Sequence, residues 1–160
     1  MNITTATAQK NTDSKSLNTI VETFKKAITN DVTKEAFYNL FLYDTVTWAT
    51  ILEGKTKEVL KKKSDYKPFI NKSLNVFYDF VSTNNCEEKF YNVAIDHDHH
   101  FAKISFDYSF SLDGAIQNWG KEYWTLLKVG DGWKITSVLW TTNFQNIEQS
   151  PFENNSYYKQ

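Results

Sequence analysis

The chain has 160 residues, of which 41% are hydrophobic and 23% charged, and these values are typical of one globular domain with its own core. The net charge of −1 provides no basic field for a phosphate backbone, so composition argues against a nucleic-acid-binding protein. All 18 cationic residues are lysine, which excludes a bidentate guanidinium clamp and argues against a phosphorylated ligand.

Cysteine usage and hydropathy limit the environment of the chain. Cys86 is the only cysteine, so neither an intrachain disulfide nor a thiolate metal cluster is available. No apolar run reaches the roughly 18 residues of a membrane span, so we expect no membrane partner. Residues 1–15 predict a disordered leader, although Thr5 to Gln9 resembles the end of a cleaved signal peptide. We expect a cytoplasmic protein, or an exported one if Met1 replaces a signal peptide.

Helical periodicity dominates the first half of the chain. Ser16 or Asn18 is a suitable cap for a first helix near 16–29, and Thr33 for a second near 33–42. A β-branched strand at 46–52 follows. The pattern then predicts a lysine-rich helical segment at 55–63 and another helix at about 66–82, with Pro68 near its start.

The second half changes to the period of strands. Four strands are predicted, and Gly130-Asp131-Gly132 has the composition of a hairpin turn between the last two. Helices followed by consecutive antiparallel strands indicate an α+β fold in which the helices pack on one face of a curved sheet. We expect one domain over 16–146 and a polar tail over 147–160. The predicted strands are 89–95, 101–112, 123–129 and 133–142.

Three segments resemble the nuclear-transport-factor-2-like superfamily, over about residues 16–146. They are Tyr43 to Trp48 at the first strand, Ala102 to Gly114 as a long central strand, and Gly120 to Thr141 as a closing hairpin containing Asp131-Gly-Trp-Lys-Ile135. The SnoaL-like polyketide-cyclase and lumazine-binding branches are the most similar. The resemblance implies a cone-shaped α+β barrel with a pocket at its open end. Its members include isomerases, dehydratases, cyclases, epoxide hydrolases and non-catalytic proteins, so the fold does not define the function.

Asp44 and Asp107 are the weak candidates for a general base. Asp44 stands at the mouth of the expected cone, or else it caps the strand. Asp107 alternates with the apolar row of its strand, so it faces solvent if that row packs under the helices, and lines the pocket if it does not. The isomerase branch of the family needs a further carboxylate at the positions that Trp48 and Ala49 occupy here, so this carboxylate is missing. Glu122 is expected to pair at the surface with a lysine, either Lys121 or Lys134. We therefore expect no acid–base pair in the cone.

All three histidines lie in Asp96-His97-Asp98-His99-His100, where residues two apart on a strand share a face and resemble a metal site. The segment also falls where the resemblance places a tight turn between strands, and we interpret it as a polar loop tip. We expect no metal and no cofactor.

Aromatic residues make up 16% of the chain, and large rings either fill a core or line a cavity. We expect a small-molecule-binding domain for an apolar or aromatic ligand. The alternatives are a lyase or isomerase of the polyketide-cyclase type, and a structural or protein-binding domain with a filled cone. The expected ligand-binding residues are Trp48, Tyr108, Trp124, Ser137 and Trp140.

The same aromatic surface predicts a homodimer through the outer sheet face. Val138 and Trp140 share a parity on the last strand, and they are the candidate contacts if Ser137 and Leu139 face the cone. A single β-bulge reverses the parity of a strand, so the sequence leaves the facing of each side chain open.

Overall fold

The computed structural model describes residues 3–152, with side chains from residue 11 onward. Four helices and six strands follow one another in the order α1, α2, β1, α3, β2, α4 and then β3 to β6. The helices are α1 (Ile3–Ile28), α2 (Lys34–Tyr38), α3 (Gly54–Leu60) and α4 (Leu74–Thr83). The strands are β1 (Thr47–Leu52), β2 (Phe69–Asn71), β3 (Cys86–His97), β4 (Phe101–Leu112), β5 (Ala115–Val129) and β6 (Gly132–Phe144).

The strands form one curved sheet in the order β2-β1-β6-β5-β4-β3. Its concave face packs against α1, α2 and α4, which confirms the predicted α+β class. Two details add to the expected cone-shaped barrel with a strongly curved antiparallel sheet. Strand β1 pairs parallel with β6, so the sheet is mixed, and β2 and β3 remain as unpaired edges, so it is not closed.

Helix α1 begins at Ile3, inside the segment that was expected to be a disordered leader. Asp13 is 3% exposed, and its Oδ1 accepts a hydrogen bond from Lys128 Nζ on β5 at 2.5 Å. The Trp133 indole N–H lies 3.4 Å from the same oxygen. Asp13 thus packs against the sheet, because a buried carboxylate needs the partners that the sheet supplies, while the domain boundary at residue 16 stays a prediction.

The predicted helix over 66–82 is wrong over its first half, because α4 begins only at Leu74. Phe69 to Asn71 form the edge strand β2, which pairs antiparallel with β1, and Lys72 N donates to Trp48 O at 2.7 Å. The helix begins only after Ser73, whose Oγ accepts the Val76 N–H. The apolar periodicity continues across this boundary and therefore predicted one helix. Residues 69–71 form a strand instead, because the edge of β1 offers them backbone hydrogen-bond partners.

The segment after β6 covers part of the outer sheet face. The Phe152 ring stacks on Tyr91 with centroids 4.9 Å apart and meets Trp119 edge-on at 5.9 Å. Trp119 also donates its indole N–H to Glu148 O at 2.9 Å. A segment that we expected to be a polar tail thus contributes a buried aromatic anchor up to residue 152.

A register shift changes which face the last strand presents. Between Thr125/Ser137 and Leu126/Ile135 the pairing of β5 with β6 skips Thr136, which is a β-bulge. Val138 is therefore fully buried on the concave face, whereas Leu139 is 43% exposed on the outer face. The contact residues proposed for a homodimer, Val138 and Trp140, thus point the wrong way. Association through the outer face stays a prediction.

The Asp13–Lys128 pair gives a stability prediction. Asp13→Ala should lower the free energy of unfolding by about 2 kcal/mol, because it leaves Lys128 without its charged hydrogen-bond partner. Glu22→Ala removes an exposed ion pair with Lys25 on the same helix and should cost at most about 0.5 kcal/mol. Urea denaturation of both variants checks this, and equal costs would contradict it.

Candidate functional site

A cavity of about 220 Å³ lies between the concave sheet face and helices α1 and α4. Every layer of the fold contributes to it: α1, α4 and the segment before α4 from one side, and strands β1, β3, β4, β5 and β6 from the other. Its walls are largely aromatic, with a small polar group at the sheet. The lining residues are Phe24, Trp48, Lys72, Phe77, Phe80, Glu88, Tyr108, Phe110, Asn118, Glu122 and Trp140.

Two sets of rings shape the cavity walls. Trp48 packs against Phe77 of α4 with centroids 5.0 Å apart and meets Trp140 edge-on at 6.0 Å. At the other side Phe80 and Phe110 lie 6.4 Å apart. The rings of Phe77, Phe110 and Trp140 remain partly accessible, so the cone is not completely filled by its own side chains.

Glu88 and Glu122 form a pair of carboxyl groups in this aromatic cavity. Glu122 lies on β5 opposite Trp140 of β6 and is only 6% exposed. Its Oε1 accepts the indole N–H of Trp124 at 2.5 Å. Glu88 lies on β3 opposite Phe110 and is partly accessible. Within residues 11–152, neither glutamate has a lysine or histidine at ion-pair distance.

Burial penalises the charged form of both acids. It raises the pKa of Glu122 to about 8, against which the Trp124 hydrogen bond acts in the opposite direction. Burial, and then repulsion from Glu122, hold the pKa of Glu88 well above its usual range. Burial thus favours the protonated form of both acids, and a pKa of about 8 places the titration of Glu122 near physiological pH.

Tyr108 lies beside the two acids on β4. Its hydroxyl donates to Thr141 O at 2.9 Å and is 3.2 Å from Asn118 Oδ1. Burial raises the pKa of this phenol well above 10, so it remains a neutral hydrogen-bonding group. Gly120 is the β5 residue opposite Tyr108, and a Cβ there would collide with the Thr141 carbonyl. The glycine thus permits the close backbone approach under the tyrosine ring.

The structure brings together three of the five side chains expected to bind a ligand. Trp48, Tyr108 and Trp140 line the cavity. Trp124 is fully buried behind it, with its ring 4.6 Å from that of Phe24, and it orients Glu122 instead of facing the cavity. Ser137 lies on the outer face, where its Oγ is 2.6 Å from Thr125 Oγ1, because the bulge at Thr136 reverses the parity.

Neither aspartate that was a candidate base lies in the cavity. Asp44 is exposed in the turn before β1. Asp107 faces outward, with its carboxylate 3.8 Å from Lys121 Nζ and 2.8 Å from Asn92 Nδ2. The apolar row of β4 packs under the helices, and this leaves Asp107 on the opposite face.

Sequence reasoning missed both glutamates. Glu122 was expected at the surface with a lysine, but Lys121 pairs with Asp107, while Lys134 bonds to Asn39. The cone therefore contains two carboxyl groups that the sequence analysis placed elsewhere or did not consider, while the absence of an acid–base pair stays a prediction. The alternation of strand residues could have located both glutamates. Glu122 is two residues from Trp124 and Glu88 two residues from Phe90, so each glutamate lies on the same strand face as a buried aromatic residue.

The histidine-rich segment forms the β3–β4 turn. Asp98 Oδ1 accepts the backbone N–H groups of His100 and Phe101, and His97 Nε2 lies 2.9 Å from Ser14 Oγ of α1. Among residues 3–152, no group of three or more histidine, cysteine, aspartate or glutamate side chains is arranged to hold a metal ion. Over the same range, no helix is both long and apolar enough to cross a membrane.

The buried carboxyl pair gives a pH-dependent stability prediction. An unfolded glutamate ionises near pH 4.3, whereas folded Glu122 stays protonated to about pH 8, so the stability contributed by its protonation is lost between these values as pH rises. Glu122→Gln removes this loss. We expect the variant to exceed the natural chain in unfolding free energy at pH 8.5 by more than about 1.4 kcal/mol, the equivalent of one pKa unit, and by less at pH 5.

Urea denaturation across pH 5 to 8.5 measures that difference, with Glu87→Gln, at an exposed glutamate of β3, as the matched control. A difference that is constant with pH, or as large in the control, would disprove a raised pKa at Glu122.

No family model matches the sequence, and no curated protein matches it significantly. Solved structures do match its fold. An NTF2-like protein with a cystatin-like fold from Novosphingobium aromaticivorans superposes with a TM-score of 0.61 at 11% identity, covering 88% of this chain and 89% of that one.

Two further solved structures are named as candidate enzymes. A candidate dehydratase of the NTF2-like family from Streptomyces avermitilis gives a TM-score of 0.59 at 14% identity, covering 84% of this chain and 99% of that one. A candidate scytalone dehydratase from Novosphingobium aromaticivorans gives 0.58 at 12% identity, covering 86% and 89%. Identities this low show the fold alone. The chain therefore has the NTF2-like, cystatin-like fold.

Proposed function

We propose that this protein binds a small, flat and largely apolar molecule in the cavity between α1, α4 and the sheet. The observation that carries the proposal is the combination of accessible aromatic walls with the buried Glu88–Glu122 pair. Apolar walls with a few convergent polar groups are the usual construction of a small-molecule site. In a purely structural core, apolar side chains would normally occupy the two glutamate positions.

The dimensions of the cavity limit the ligand. Its volume of about 220 Å³ is below the roughly 300–1,000 Å³ of sites for drug-sized molecules. A single ring with a short polar substituent suits this space better than a polycyclic molecule. Tyr108, Asn118 and the two glutamates lie on the sheet side, so the polar substituent would point toward the sheet and the ring would lie between the aromatic walls.

A second candidate function is proton transfer in a lyase or isomerase. Glu122 favours it, because a carboxyl group with a pKa of about 8 exchanges its proton near neutral pH and is poised as a general acid or base. The dehydratase names of two structural neighbours agree with such chemistry. This candidate assigns the base to Glu122 instead of Asp44 or Asp107.

Binding is testable with phenol as a small flat probe and the tryptophan indole N–H signals as reporters. Phenol should shift the signal of Trp124, which is bonded to Glu122, and leave that of Trp119 on the outer face unchanged. Trp140→Ala should weaken binding at least about tenfold, because it removes one aromatic wall. The neighbouring Leu139→Ala changes the outer face and should have no effect.

Heteronuclear NMR titration with phenol measures the shifts of the two indole signals and the affinities of the two variants. Equal shifts at Trp124 and Trp119, or equal losses in the two variants, would refute binding in the cavity.

Catalysis is testable through the position of the base. For any substrate found to be converted, Glu122→Gln should lower kcat by about 100-fold or more, and the pH–rate profile of the natural chain should inflect near pH 8. Asp44→Asn and Asp107→Asn should retain the full rate, because both side chains lie outside the cavity. A rate that collapses in either aspartate variant would contradict the assignment.

A further inference from the structure

We infer that the ligand of the cavity is an organic cation, a small ammonium ion held between the Glu88–Glu122 pair and the faces of the surrounding rings. This inference rests on the proposed binding function and specifies the chemical class of the ligand. It follows from three features of the cavity: carboxyl oxygens without donors, aromatic faces around them, and the position of the only lysine in the lining.

The carboxyl groups offer free acceptor sites. Glu122 is 6% exposed and uses Oε1 for the Trp124 N–H, while its Oε2 has no hydrogen-bond donor among the side chains of residues 11–152. Over the same residues, Glu88 accepts no hydrogen bond and forms no ion pair. Within residues 11–152 no buried side-chain oxygen lacks a partner, so the free carboxyl oxygens are accessible from the cavity. A cation there would offset the cost of ionising two acids that have no counter-charge.

The rings around the acids are suited to the same charge. Cations are attracted to the faces of aromatic rings, most strongly to tryptophan. Trp48, Phe77 and Trp140 all line the cavity; the rings of Trp48 and Trp140 meet edge-on at 6.0 Å, and that of Phe77 lies 5.0 Å from Trp48. A carboxylate ligand would be repelled by the negative faces of these rings and by both glutamates.

Few other charged or titratable groups face the pair. Tyr108 of β4 remains neutral, and α1, β1 and β6 contribute only Phe24, Trp48 and Trp140 to the lining. Among residues 11–152, Lys72, in the segment before α4, is the single lysine of the lining, and it is exposed. The cavity therefore has its acidic groups on the buried sheet side and its one positive charge where solvent screens it.

Proton balance gives the inference a pH signature. An ammonium ion that pairs with Glu122 requires the ionised carboxylate, so each binding event below pH 8 releases one proton from Glu122 to solvent. The ligand itself keeps its proton, and no covalent bond forms or breaks. Affinity should increase up to tenfold per pH unit from pH 6 and level off near pH 8.

Three probes of matched size distinguish the ligand classes: benzylammonium, benzyl alcohol and benzoate. At pH 8 we expect benzylammonium to bind at least tenfold more tightly than either of the others, measured by the shift of the Trp124 indole N–H. Glu122→Gln and Glu88→Gln should each weaken its binding at least tenfold, and the exposed Glu87→Gln should not change it. The Trp119 indole signal reports whether each variant is folded.

The outcomes separate this inference from the proposed function. Benzyl alcohol or benzoate binding as tightly as benzylammonium would overturn the cation assignment and leave small-molecule binding intact, as would phenol binding by a protein that ignores benzylammonium. Affinity for benzylammonium that does not change between pH 6 and 8 would also overturn it. A chain whose Trp124 signal responds neither to phenol nor to any of the three probes would refute both proposals.

Discussion

The packing of Phe24 is the contact on which the rest of the structure depends. Its ring lies within about 6.4 Å of six other aromatic rings, which belong to α2, the segment after α2, α4 and three strands of the sheet. One α1 side chain thus joins the helical layer to the concave sheet face. The same ring forms part of the cavity wall, so the core and the candidate site are continuous. The six rings are those of Phe37, Phe41, Trp48, Phe77, Phe90 and Trp124.

The two buried glutamates are where this sequence departs from the rules that make a stable core. Strand β5 places Glu122 in the same inward row as Trp124, at a position where an apolar residue would contribute to stability and an ionisable one reduces it above pH 5. The hydrogen bond from Trp124 only partly offsets the loss of solvation. Local departures of this kind are concentrated at functional sites, which is the physical reason for assigning function to this cavity.

Much of the fold was predictable because its main signals are local. The alternation of Ile104, Phe106 and Tyr108 with polar residues defined β4 to the residue, and glycines at 130 and 132 marked the final hairpin. The errors have physical causes outside the local pattern. Phe69 to Asn71 pair with a strand edge that only the folded sheet offers, and Phe152 packs on rings that are far away in sequence. Asp13 is ordered by a lysine on β5.

The candidate site shows most directly what the sequence by itself determined. The sequence determined that the domain is rich in aromatic residues, has no arginine and has its histidines in one short segment, and the α+β order followed from the two hydrophobic periods. Tertiary structure decided which acids are functional candidates, because facing depends on which side of the sheet packs against α1. It turned Asp107 outward and Glu122 inward, and a single bulge at Thr136 exchanged Ser137 for Val138 and Trp140. A period of two predicts alternation along a strand, but only packing against the helices determines which half of the alternation becomes the interior.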